Sequence, residues 1–118
     1  MKKLNFLFLA LISLALVGLA APAVAADSMT GEVVDLGCYE KGQKGPGHAS
    51  CAARCVAGGA EMALIVDGEV YVVDDAASDA GAIKSMREHG GKNVEVTGAL
   101  AEKDGMKVVH VKTVKAAG

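Results

Sequence analysis

Two Asp-Gly pairs, Asp67-Gly68 and Asp104-Gly105, each stand between runs rich in β-branched residues. Such a pair accepts the positive φ angles of a tight two-residue turn, so each predicts a β-hairpin. The first hairpin joins residues 62–66 to 69–73, and the second joins 93–100 to 106–114. Residues 30–36 read as an earlier strand. Along 93–100 the period-two alternation places Val94, Val96 and Leu100 inward and Glu95 and Thr97 outward.

Between the third and fourth strands, Ile83 and Met86 form a short apolar stripe within residues 79–89. Ser78 or Asp79 caps the start of a helix there, and Gly90-Gly91 stops it. Three strands, a helix and two more strands is the element order of the OB-fold, a five-stranded barrel. The expected class is therefore mainly β, a small five-stranded OB-like barrel. The connection between its first two strands, residues 37–60, is long for a compact domain and predicts a functional segment. Its second half, from His48 to Val56, is alanine-rich and predicts a helical insertion that ends at Gly58-Gly59.

The chain ahead of this domain reads as an address. Lys2 and Lys3 precede an apolar run over residues 4–19, and no acid occurs before Asp27. Ala23-Val24-Ala25 offers the small residues of a signal-peptidase site, so residues 1–26 are expected to be a signal peptide and 27–118 a single domain. The apolar run is also about long enough for a membrane anchor, but Pro22 and the small-residue exit favour cleavage. The expected location is periplasmic or secreted, with no membrane attachment after cleavage.

Without the leader, ten basic residues face fourteen acidic ones, a net charge of about −4. Tyr39 and Tyr71 are then the only phenol- or phenyl-bearing side chains. Nucleic-acid binding needs basic clusters and aromatic platforms, so that partner class is excluded. A domain of roughly 92 residues has a modest core and gains from a staple or a structural metal.

All three cysteines and one histidine fall within residues 38–55. His48, Cys51 and Cys55 are spaced by three and four residues, which on a helix brings them to one face. Cys38 closes the first strand, and the glycine-rich segment 41–47 allows it to return over that face. Cys38, His48, Cys51 and Cys55 make a Cys3His set, suited to zinc and, through soft sulfur, to copper or an iron–sulfur centre. The expected ligand is a zinc or copper ion, with a protein partner as the other possibility and no enzymatic activity.

Two alternatives stand beside the metal site. Export permits a disulfide, and Cys38 bonded to Cys51 or Cys55 closes a loop of roughly 15 residues worth about 3 kcal/mol. One cysteine is then left over, which in an exported protein is reactive or intermolecular. Alternatively, Cys51 beside His48 is a redox or nucleophilic thiol with a lowered pKa.

Other candidates have plainer roles. His89 is expected to serve the helix end and His110 to sit satisfied in the last strand. Met29, Met62, Met86 and Met106 read as core fillers. Asp74, Asp75 and Asp79 lack EF-hand spacing and read as a turn and a helix cap.

A resemblance rests on several stretches taken together. They are Gly31-Glu32-Val33-Val34-Asp35-Leu36-Gly37-Cys38-Tyr39, Gly47-His48, Cys51-Ala52, Cys55-Val56, Gly68-Glu69-Val70-Tyr71 and 91–98. With them the chain resembles a group of small exported bacterial proteins of uncharacterised function. Those share an OB-like domain, a cysteine after the first strand and a Cys-x3-Cys-Val segment before the second. The resemblance implies export and the barrel, and it carries no activity with it.

Overall fold

The computed structural model describes residues 27–43 and 45–117, so the expected signal peptide lies outside the described residues. Five strands form a closed barrel: β1 (Asp27–Asp35), β2 (Met62–Val66), β3 (Glu69–Val73), β4 (Asn93–Lys103) and β5 (Met106–Ala116). Three helices accompany them: α1 (Leu36–Glu40), α2 (Ala49–Ala57) and α3 (Ala80–Arg87). A 3-10 turn, Pro46–His48, leads into α2.

The two hairpins form as the Asp-Gly pairs require. Asp67 and Gly68 have φ of 51° and 82°, and Asp104 and Gly105 have 54° and 80°. Positive φ at both central residues matches the right-handed twist of the flanking strands. Around the barrel the order is β1-β2-β3-β5-β4, with β4 returning to β1. Every pairing is antiparallel except β3 with β5, which is parallel and carries two registered pairs, Val72 with Val108 and Val73 with Val109. This is a mainly β, OB-like barrel with the cysteine-bearing helical segment between β1 and β2.

Val33, Leu64, Val73, Val94, Val96, Val109 and Val111 fill the interior. Val56 from α2 and Ala82 and Met86 from α3 join them, so both helices are anchored in the same core. A second apolar group, Val34, Leu36, Ala63, Val72 and Val108, gathers neighbouring strands on the opposite strand face, with Tyr39 packed against it. Asp79 caps α3, its Oδ2 accepting from the Ala82 N–H at 2.9 Å.

Three expectations need correction. Leu100 is 41% exposed rather than inward. Pairing of β4 with β1 ends at Gly98, so Leu100 stands on the part of the β4–β5 hairpin that β1 no longer flanks. Met106, beside the turn of that hairpin, is likewise exposed and fills no core. Cys38 is not at a strand end. β1 stops at Asp35, whose Oδ1 accepts from the Cys38 N–H at 3.2 Å and so starts α1.

Candidate metal centre

The cluster is assembled from the end of β1 and the two helices that follow it. Asp35 closes β1, where it pairs with Met62. Cys38 lies in α1, and Cys51 and Cys55 stand one turn apart on α2. Ligand atoms of Asp35, Cys38 and Cys55 all lie within 4.8 Å of one another, each on a half-buried residue. Cys51 adjoins them, since it raises the thiols of both Cys38 and Cys55. All three cysteines are free thiols.

What holds α2 over Cys38 is traceable residue by residue. Val56 is fully buried in the barrel core. Arg87 on α3 reaches across with Nη1 to the carbonyls of Val56 at 3.0 Å and Ala60 at 2.8 Å, satisfying the end of α2. Its Nη2 meets Asp75 at 2.7 Å. The helix also rests directly on Gly90, where a Cβ would come within 2.9 Å of the Ala52 carbonyl oxygen. Only a residue without a side chain allows that approach.

The electrostatics of the cluster are those of crowded anions. Loss of water pushes the Cys38 thiol up from its ordinary pKa, and the Asp35 carboxylate and Cys51 push it further. For Cys55 the order is loss of water first and then Cys51, with Asp35 adding to it. The Asp35 carboxylate raises both thiols, that of Cys38 and that of Cys55. Each ionised neighbour makes the next ionisation harder, and a cation placed among them reverses the effect. A thiol tuned for nucleophilic attack needs the opposite shift.

His48 stands slightly apart. It occupies the N-cap position of α2, in the 3-10 turn, and its side chain makes no capping bond. It is exposed and lines the same small cleft as Asp35, Cys38, Gln43, Cys51 and Ala52, a void of about 10 Å³. That is about the room one water needs, and an unhydrated metal ion needs no more. Thus Cys51 and Cys55 share a helical face, as the spacing requires, while His48 sits before the regular helix. Asp35 was not among the expected ligands. Its signal was the spacing Asp-x-x-Cys, in which the carboxylate caps the turn that carries the cysteine.

The remaining candidates keep plain roles. His89 Nδ1 lies 2.8 Å from the Ser85 carbonyl at the end of α3. His110 Nε2 is 3.7 Å from an Asp74 carboxylate oxygen. Asp74 also accepts from the Ala77 N–H at 3.1 Å, so the acidic stretch is a turn followed by the Asp79 cap. Among the described residues no helix is long and apolar enough to cross a membrane.

No family model, no curated protein and no solved structure matches this chain.

Proposed function

We propose that the protein is a small exported, non-enzymatic metal-binding module, periplasmic or secreted. Its inserted helical segment holds one zinc or copper ion through Cys38, Cys51 and Cys55, with His48 lining the small cleft beside Cys38 and Cys51. The observation that carries the reading is the mutual approach of Asp35, Cys38 and Cys55 to within 4.8 Å. These side chains come from three separate elements, and the Asp35 carboxylate and the neighbouring sulfur of Cys51 raise the thiols of Cys38 and Cys55, with Lys41 among the described residues opposing the rise at Cys38. A metal ion supplies positive charge there and displaces the thiol protons.

A second reading draws on the same approach. Cys38 and Cys55 are close enough to be the pair in a disulfide-stapled accessory domain, leaving Cys51 as the spare thiol. Intact mass and metal content of the protein purified from its exported location without chelator separate the two. Reduced thiols with about one equivalent of zinc or copper support the metal module. A mass two hydrogens lighter, without metal, establishes the staple instead.

A further inference from the structure

We infer that Asp35, rather than His48, completes the ligand set, and that its carboxylate strengthens the binding of zinc more than that of monovalent copper. The inference rests on the metal-binding reading above and assigns its fourth ligand and that ligand's effect on each metal.

The geometry favours the carboxylate. Zinc bound at about 2.3 Å from sulfur and about 2.0–2.2 Å from oxygen sets tetrahedral ligand atoms roughly 3.5–3.8 Å apart. The Asp35, Cys38 and Cys55 ligand atoms already lie within 4.8 Å of one another, so an inward movement of about 1 Å completes the approach of these three, and Cys51, outside that group, has to join from the preceding turn of α2. Asp35 is also held from two sides. Its backbone is registered against Met62 in the barrel, and its Oδ1 accepts from the Cys38 N–H. A ligand fixed by the scaffold and by a supporting hydrogen bond is positioned before the metal arrives. His48 has neither support: it lies exposed in the 3-10 turn and bonds to nothing at the helix start.

The carboxylate then bears differently on the two metals. Monovalent copper is satisfied by soft thiolates and gains little from a hard anionic oxygen. Zinc accepts sulfur and carboxylate together and takes four ligands in closed sites. Three thiolates and Asp35 give that number without the histidine.

The test is a titration of the reduced full chain with Zn2+, Cu+ and Co2+, comparing the wild type with Asp35→Asn, Asp35→Ser and His48→Ala. Asparagine and serine both cap helices, so α1 survives in each, and circular dichroism of the metal-free variants checks it. The expected result is a loss of at least about tenfold in zinc affinity for both Asp35 variants. Copper affinity changes less, and His48→Ala leaves both metals as in the wild type. With Co2+ the sulfur-to-metal charge-transfer intensity is kept in Asp35→Asn while the d–d bands shift, because a non-sulfur ligand has changed. Parity of the Asp35 variants with wild type, or a zinc loss confined to His48→Ala, overturns the assignment of Asp35. Equal losses for copper and zinc overturn the greater contribution of the carboxylate to zinc. A wild type that binds none of the three ions overturns the metal reading itself.

Discussion

The Asp35 carboxylate accepts from the backbone N–H of Cys38 at 3.2 Å while its oxygen lies within 4.8 Å of the Cys55 sulfur. One side chain therefore both starts α1 and faces the thiol of α2. Its two tasks separate by substitution. Asp35→Ala removes the cap and is expected to lower the stability of the metal-free protein by about 1 kcal/mol, whereas Asp35→Asn keeps it within a few tenths. Urea melts of the reduced chain in the presence of chelator measure both.

The raised thiols make the metal-free protein sensitive to alkali. A group whose pKa is higher folded than unfolded contributes stability that is complete below its unfolded value, about 8.5 for a thiol. That contribution is lost as pH rises through the folded values of Cys38 and Cys55, both of which lie above the ordinary one. Melting temperature of the reduced, chelated protein should fall on the alkaline side of that point. Cys38→Ser with Cys55→Ser should flatten the fall, and an unchanged slope would contradict the crowding described for this cluster.

Arg87 secures α2 from a different helix. Replacing it with methionine keeps the apolar stem and removes the guanidinium donor from the Val56 and Ala60 carbonyls, of which Val56 still accepts from the Gly59 N–H. Hydrogen bonds to a charged group contribute about 1.5–3 kcal/mol, and a loss of about 2 kcal/mol is expected. Chemical denaturation gives the value, and hydrogen exchange at the end of α2 locates it.

Gly90 is the floor under α2. An added Cβ meets the Ala52 carbonyl oxygen and the Ala53 Cα, both at 2.9 Å, and both are backbone atoms that move only with the helix. Gly90→Ala should cost about 1–3 kcal/mol and displace the cysteines of α2 from Cys38. Gly47→Ala, with nothing within 4 Å of the new carbon, is the control and should stay within about 0.5 kcal/mol. Melting temperatures and the rate of Cys38–Cys55 cross-linking by a short bifunctional reagent report the two effects.

The barrel was legible because its strongest signals are local. Asp67-Gly68 and Asp104-Gly105 set turn geometry by themselves, and β2 and β3 begin and end where those turns and the apolar runs require. Legibility failed where tertiary neighbours decide. The alternation that placed Leu100 inward is real, but among the described residues the pairing with β1 ends at Gly98, short of it. The helix α1 is five residues long, too short for a periodic pattern, so Cys38 read as the end of a strand. The candidate site was half legible. Cys51 and Cys55 share a face because four residues make about one turn. Asp35 was hidden because residues 30–36 read as a strand and nothing in the spacing revealed Cys55 opposite it. His48 looked like a face partner, yet Pro46 and Gly47 tighten the chain before α2 and set it off the regular helix.

The distance along the chain between partners has a consequence for the order of assembly. Asp35 and Cys55 are about twenty residues apart, while β1 meets β4 only by joining residues about sixty to seventy positions distant. Short loops close at lower entropic cost and sooner than long ones. The loop that joins the cysteines is thus cheap to close, yet Arg87 and Gly90, which seat α2 over Cys38, lie beyond it in the chain, so the site is finished only when the later elements have docked.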